Sequence, residues 1–261
     1  MRSLNIAATG MTAQQTNVDV ISNNIANLTT TGFKRQRAEF QDLLYQNERR
    51  IGSQSNTDGS IVPSGIQLGV GVKTSAIYAL MSQGTLNQTQ NRYDLAINGT
   101  GFFQVELPNG AIGYTRAGSF QLSPTGEIVT QDGRRLLPGI TIPTNARDVT
   151  INQDGEVLVK IDGQNAEVNA GQIQFASFIN DAGLERIGGN LFLETPASGA
   201  PQVGLPGSTG YGTIQQGYLE TSNVNAINEI TTLITAQRSY ELNSKAIKVS
   251  DEMLQTTNQV S

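Results

Sequence analysis

The sequence predicts an α+β chain. Two terminal helices form a coiled-coil-like inner domain, and an extended linker leads from them to an inserted antiparallel β-rich domain. Three observations point this way. Apolar residues recur every seven positions at both ends, short alternating apolar runs separated by Asn-Gly and Asp-Gly pairs fill the middle, and stretches rich in Gly, Ser, Asn and Gln join the two patterns.

At the N-terminal end Leu4, Met11, Val18 and Ile25 fall seven apart, Ala7, Ile21 and Leu28 sit three places after members of that series, and Gln14 is the polar exception. This is a heptad seam. At ~1.5 Å per residue, positions 3 to 28 would make a rod on the order of 40 Å long. Asp19 is the only charged side chain between residues 3 and 31, and most other off-seam positions are Asn, Gln, Thr and Ser. Apart from Gln these are mediocre helix formers, so the helix is expected to be marginal alone, with its uncharged polar faces against neighbouring protein rather than bulk water. Periodicity by itself also fits an amphipathic helix lying on its own chain's core. At the C-terminal end Leu233, Tyr240, Ile247 and Leu254 repeat the interval, with Ala226, Ile230 and Ala236 supporting the same side. Ser222 and Asn223 are candidate N-caps, and the spacings Arg238 to Glu241 and Glu241 to Lys245 let opposite charges meet, so this helix is expected to be the sturdier one.

The boundaries that follow are an N-terminal helix over 1–32, a linker over 33–94 with a polar insert at about 46–65, a β domain over 95–205, a return segment over 206–222 and a C-terminal helix over 223–261. Residues 33–50 mix Lys34, Arg35, Arg37, Arg49 and Arg50 with Glu39, Asp42 and Glu48, the pattern of a solvated face. The stretch from Gly52 to Gly71, which contains Pro63, reads as an extended loop or short hairpin, and its length needs a reason. In the β region, runs such as Phe103, Val105, Leu107 and Val157, Val159, Ile161 are punctuated by Asn98-Gly99, Asn109-Gly110, Asp132-Gly133, Asp154-Gly155 and Asp162-Gly163. Asn and Asp tolerate positive φ and Gly adopts it freely, as tight hairpin turns require. An antiparallel sandwich or small barrel follows, with Phe102, Phe103, Tyr114, Phe120, Phe175, Phe178 and Phe192 as core candidates. A short echo brackets this region: Gln83-Gly84-Thr85-Leu86-Asn87-Gln88-Thr89 before it and Gln216-Gly217-Tyr218-Leu219-Glu220-Thr221-Ser222 after it. It reads as two similar strands lying side by side where the chain joins and leaves the β body, although a Gln- and Gly-rich chain could also produce it by coincidence.

Composition narrows the function. Cysteine, histidine and tryptophan are absent, which removes thiolate nucleophiles, imidazole bases, Ser-His-Asp triads and zinc sites of the usual ligand types. Charged residues make up only 15%, the net charge is -5 and the pI about 4.8, so nucleic acid is a poor partner. Gly69-Val70-Gly71 and Gly99-Thr100-Gly101 do not complete a dinucleotide loop, and Asn152-Gln153-Asp154-Gly155 lacks calcium-loop spacing and reads as a hairpin turn. No catalytic residue, metal, cofactor or small-molecule substrate is expected. Paired carboxylates among Asp132, Asp154, Glu156 and Asp162 leave a glycan hydrolase as the enzymatic alternative. The first residues show no cleavable signal and no apolar run is long enough to span a bilayer, so the expectation is a cytoplasmic protein or one exported by a signal-independent machine.

Ser22-Asn23-Asn24-Ile25-Ala26-Asn27 followed by Thr31-Gly32-Phe33-Lys34 resembles the N-terminal signature of the bacterial flagellar rod and hook proteins. Asp94 to Phe103 and Tyr114 to Phe120 resemble the start of that family's β domain, and Ser222 to Asn225 with Ala236 to Glu241 resembles its C-terminal helix. The resemblance covers essentially the whole chain. Its length, the segment Phe40 to Gln46 and the polar stretch after it are most similar to the family's distal-rod members, the proximal rod and hook being the sibling alternatives. The resemblance implies a non-enzymatic subunit that polymerises helically into a straight, rigid, hollow driveshaft across the periplasm. It implies terminal helices lining an export channel, a β domain facing outward, and unfolded export by the flagellar type III apparatus without cleavage. Implied partners are copies of the chain, the proximal rod and hook proteins, the P- and L-rings and the export apparatus. Subunit contacts are expected from Leu4, Met11, Val18, Ile21, Ile25, Leu28, Gly32, Phe33, Leu233, Tyr240, Ile247 and Leu254. A rigidity insert is expected around Gln46, Arg49, Arg50, Ile51, Asp58 and Pro63. Asn5 and the run Ile227-Asn228-Glu229 depart from the family pattern and are expected to weaken the inner seam.

Overall fold

In the computed structural model, which describes residues 2–49, 64–162 and 166–260, the chain begins and ends in a long helix and is β-rich between them in sequence, an α+β arrangement. The chain divides into two compact units. One gathers Met1–Ile25, Gln36–Tyr78 and Ala226–Ser261, and the other Ala26–Arg35 and Ala79–Asn225.

In the helical unit α1 runs Arg2–Ala26 and α2 runs Ala226–Val260. Beyond α1, three consecutive threonines, poor helix formers because of their β-branching, lead into Gly32, whose φ of +69° a side chain would strain. The hydroxyls of Thr12 and Thr16 donate back to the carbonyls of Ala8 and Thr12, and those of Thr231, Thr232, Thr235 and Ser239 do the same on α2. These polar faces therefore satisfy much of their own hydrogen bonding. Neither helix is long and apolar enough to cross a membrane. Strand Gln36–Asp42 pairs with Val72–Ala79, and Tyr45–Arg49 pairs antiparallel with Ile66–Gly69. The 33–50 stretch, read as a solvated face, is thus largely two strands, and the second of them is exposed along its length.

Two expectations for α2 are corrected. The helix begins at Ala226, beyond both candidate caps, and Asn223 is engaged elsewhere. Its Oδ1 accepts the Arg35 N–H at 2.7 Å, and its Nδ2 donates to the carbonyls of Leu80 and Ser82 at 2.9 and 3.0 Å. Arg238, Glu241 and Lys245 form no ion pair within 4 Å among the described residues. Such pairs between long solvated side chains return little for the entropy of holding them.

In the β unit a six-stranded sheet runs in the order Glu185–Gly188, Leu191–Leu193, Ile112–Thr115, Phe102–Glu106, Phe175–Ser177, Gln202–Gly204. Because successive side chains on a strand alternate, Phe102 and Phe103 serve opposite faces. Phe103 packs edge-on against Phe120 and Phe175 at centroid distances of 5.2 and 5.5 Å, within the main core. Phe102 meets Phe178 and Phe192, each at 5.9 Å, in a smaller core that also holds Tyr114. All seven aromatic core candidates are buried. The main core also takes Val149, Ile151, Val157 and Val159 from the three-stranded sheet of residues 146–172, and Leu95, Ile97 and Ile214 from the pair Leu95–Asn98 and Thr213–Gln216. A cluster of short antiparallel sheets, rather than two continuous ones or a closed barrel, surrounds it.

The turn reading holds for three of the five dipeptides: Asn109-Gly110, Asp132-Gly133 and Asp154-Gly155 have glycine φ of +78°, +78° and +83° and close tight turns between antiparallel partners. Asn98-Gly99 instead joins strands that belong to different sheets, and Gly163 lies outside the described residues. The two echoing segments do lie side by side, with Leu86–Gln88 pairing antiparallel with Tyr218–Glu220.

Burial raises the Tyr114 phenol to about 12, helped by the charge of Glu194. The folded-state value lies above the ordinary value of 10.0, so the folded unit holds the proton more tightly than the unfolded chain. The resulting stability is fully present below about pH 10 and is lost as the pH climbs towards 12. Denaturant unfolding followed from pH 9 to 12 is expected to show this decline, and Tyr114→Phe to flatten it relative to the unsubstituted protein.

Candidate functional site

The two helices meet through small and polar side chains. Asn24 Nδ2 donates to Glu229 Oε2 at 3.1 Å, a Cβ on Gly10 would stand 2.9 Å from the Asn243 amide nitrogen, and Ser250 Oγ bonds Ser3 Oγ at 3.2 Å. These contacts step by fourteen and then seven residues along both helices in opposite senses, so α1 and α2 run antiparallel in one register. Asn17 falls opposite the buried Ala236 in that register. A buried polar pair such as Asn24 and Glu229 sets register at some cost in stability, because a slipped pairing would strand one of the two groups. Glu229, whose polarity pointed to a weakened seam, is therefore a buried member of it.

The seam lies one position before the apolar series on α1. Leu4, Met11, Val18 and Ile25 flank it and are half-buried, while Ala7, Ala13, Val20, Ile21 and Asn24 are the buried residues. On α2, Leu233, Ile247 and Leu254 are half-buried and Tyr240 is exposed. Leu28 and Phe33 are half-buried, and Gly32 is buried, with the backbone of Arg116 and Ala117 where its side chain would be. Ala236, placed on this side from the sequence, is buried there, whereas sequence reasoning missed Asn243 and Ser250 because it weighed apolar residues at the seven-residue interval.

It also missed a second stripe. Ile227 and Leu242 are 76% and 65% exposed, and Ile230, Ile234, Val249 and Met253 are exposed too. At about 100° per residue these six occupy an arc of roughly 140° on the side of α2 opposite the α1 seam. In the exposed hairpin of 45–49 with 66–69, Gln46 and Arg49 lie on the first strand, Arg2 pairs with Glu48, and Tyr45, Ile66 and Leu68 are exposed. Arg50, Ile51, Asp58 and Pro63 lie outside the described residues.

The β unit holds a buried charge cluster. Lys34 Nζ donates to Glu220 Oε1 at 2.6 Å and to the Ser82 carbonyl at 2.9 Å, and the Gly84 N–H reaches the same Oε1 at 2.8 Å. Arg116 Nη1 stands 3.7 Å from Glu220 Oε2, donates to the Gly99 carbonyl at 2.9 Å, and carries its guanidinium 5.2 Å from the Phe102 ring centroid. Burial pulls the Lys34 ammonium and the Arg116 guanidinium below their usual values, with the Glu220 charge opposing in both cases. Burial pushes the Asp181 carboxyl up, and Arg116 and Lys34 oppose.

The acidic groups offered for glycan hydrolysis are scattered, Asp132 and Asp154 in turns, Glu156 at the start of the strand Glu156–Ile161 and Asp162 just past its end. Asp132 lies 3.3 Å from Arg134, while in the neighbouring groove Arg135 sits 3.3 Å from Glu127 and 3.9 Å from Glu106. Among the described residues no acidic group of three or more could hold a metal ion.

The family comparisons fall on these elements. Residues 4–34, covering α1 and the turn to Lys34, match the family model described as flagella basal body rod protein; residues 96–159 match the flagellar hook protein FlgE/F/G D1 domain; residues 215–260 match the flagellar basal body rod FlgEFG protein C-terminal. The class is that of structural rod and hook subunits. Three relatives narrow it: flagellar basal-body rod protein FlgG of Caulobacter vibrioides is 57% identical over 100% of this chain and 99% of its own length, that of Agrobacterium fabrum 53% over 97% of each, and that of Borreliella burgdorferi 48% over 99% and 98%. The chain belongs to the FlgG family of flagellar basal-body rod proteins. It is a structural subunit of the basal-body rod and not an enzyme. The solved hook protein FlgE2 of Helicobacter pylori overlaps 60% of this chain and 47% of its own at 16% identity and a TM-score of 0.25, too slight a likeness to inform the fold.

Proposed function

We propose that this rod subunit polymerises helically with its own copies into the distal rod, a straight, rigid, hollow shaft that crosses the periplasm to the outer membrane. It transmits motor torque to the hook and encloses the export channel. One observation carries the reading: an arc of α2 with six exposed apolar side chains, among charged ones, lies opposite the α1 seam in the single chain. Neighbouring copies cover that arc, so that α1 and α2 become a coiled-coil-like tube wall and the β unit an outward-facing insert. The self-bonded hydroxyls of α1 support this, since they let a largely uncharged helix face pack against protein without stranding donors. Proximal-rod and hook proteins continue the same packing at the two ends, the P- and L-rings surround the β units, and the flagellar export apparatus delivers the chain unfolded.

The insert from Gln46 to about residue 65 stiffens the shaft. The exposed hairpin at its base supports this, because an isolated two-stranded ribbon is marginal in water and gains from being covered. Purified chain is expected to form straight tubes by electron microscopy, and a variant lacking residues 47–64 to form curved or flexible ones. A straight, stiff polymer from the deletion variant would remove the insert from this role.

A further inference from the structure

The chain passes between its two units at residues 25/26, 35/36, 78/79 and 225/226. The residues of the β unit next to these passages converge on one buried carboxylate. Glu220 receives the Lys34 ammonium and the Gly84 N–H on its Oε1, and its main-chain carbonyl accepts the Gly32 N–H at 2.8 Å. Lys34 in turn reaches the Ser82 carbonyl, Leu80 N–H bonds the Arg35 carbonyl at 2.8 Å, and Asn223 bridges Arg35 to Leu80 and Ser82. Arg116, from the body of the unit, supplies the second cation. The Lys34, Glu220 and Arg116 side chains are only 1%, 0% and 5% exposed.

From this geometry we infer that Glu220 is the keystone of a clasp that fixes, on the β unit, the points where the chain leaves for the helices. Burying these charges is costly, and apolar side chains of similar volume would give equal or better stability at such a site. What the charges supply that apolar packing does not is position. One carboxylate with fixed lone pairs selects one arrangement of segments 32–34, 82–84 and 220, which lie far apart in sequence. The strands Phe102–Glu106, Ile112–Thr115 and Phe175–Ser177 hold through their own ladder and the aromatic cores on both faces. The role stands on contacts within one chain and holds whatever covers the helices.

Glu220→Gln tests this by amide hydrogen exchange on the full chain. The amides of Gly32, Leu80, Gly84 and Thr221 are expected to lose about 100-fold in protection, while Phe103, Val105 and Tyr114 stay within about threefold of the unsubstituted protein. Unchanged protection at the first four, or equal loss at the last three, would overturn the inference: the first would mean that the carboxylate holds nothing, the second that it is a general support of the core. The triple variant Lys34→Met, Arg116→Met, Glu220→Leu removes every charge of the clasp and keeps the unit foldable if the single variant is not. It is expected to regain thermal stability but not protection at Gly84, and full recovery there would show that burial alone positions the segments.

Discussion

Gly118→Ala is expected to destabilise the β unit severely. An added Cβ would lie 1.6 Å from the Leu95 carbonyl oxygen and 2.7 Å from its carbon, closer than non-bonded atoms can come. The obstacle is backbone, and that backbone cannot retreat: Leu95 N–H bonds the Gly118 carbonyl at 2.9 Å, Leu95 itself is fully buried, and Leu95–Asn98 is held in register with Thr213–Gln216. A loss of about 3–5 kcal/mol is expected, enough to lower the melting temperature by roughly 10 °C or more. Gly110→Ala is the control. Its φ of +78° is unfavourable for alanine but nothing lies within 4 Å, so it should lose only about 1–2 kcal/mol. Thermal unfolding followed by near-ultraviolet circular dichroism measures both, and equal melting temperatures would show that close approach is not what requires Gly118.

The second large effect is on assembly. Ile234→Ser with Leu242→Ser is expected to raise the concentration needed for polymerisation by about 100-fold or more, since covering each side chain contributes about 1.5–3 kcal/mol. The two residues are 46% and 65% exposed in the single chain, so their replacement should leave the monomer's melting temperature nearly unchanged. Sedimentation at a series of concentrations separates these effects. The same double substitution at Gln237 and Asp251, exposed positions outside that arc, should change neither.

Much of this was legible in the residues because it rests on periodicity. The seven-residue recurrences located both helices, the alternation of Phe103 and Val105 gave a strand, and the aromatic residues chosen as core are buried. What escaped depends on geometry that spacing does not carry. Ser3, Gly10 and Asn17 form the α1 side of the seam because tight helix approach favours small residues, while the larger Leu4, Met11 and Val18 are displaced to its flanks. Glu220 entered only as a member of the echoing strand Gln216 to Ser222, and its burial depends on the register that sets it opposite Leu86 within the folded unit. The small separate sheets were likewise hidden, since alternation shows which face of a strand is apolar but not which strand it pairs with.

The chain contains no cysteine, so a single one introduced at Ile227, Leu242 or Val249 can be followed alone. The decisive measurement is the rate at which a thiol reagent labels these positions in dilute monomer and in assembled polymer. Rapid labelling in the monomer and strong protection in the polymer is the predicted result. Equal protection in the monomer at every concentration, or undiminished labelling in the polymer, would contradict the claim that copies of the same chain cover this face of α2.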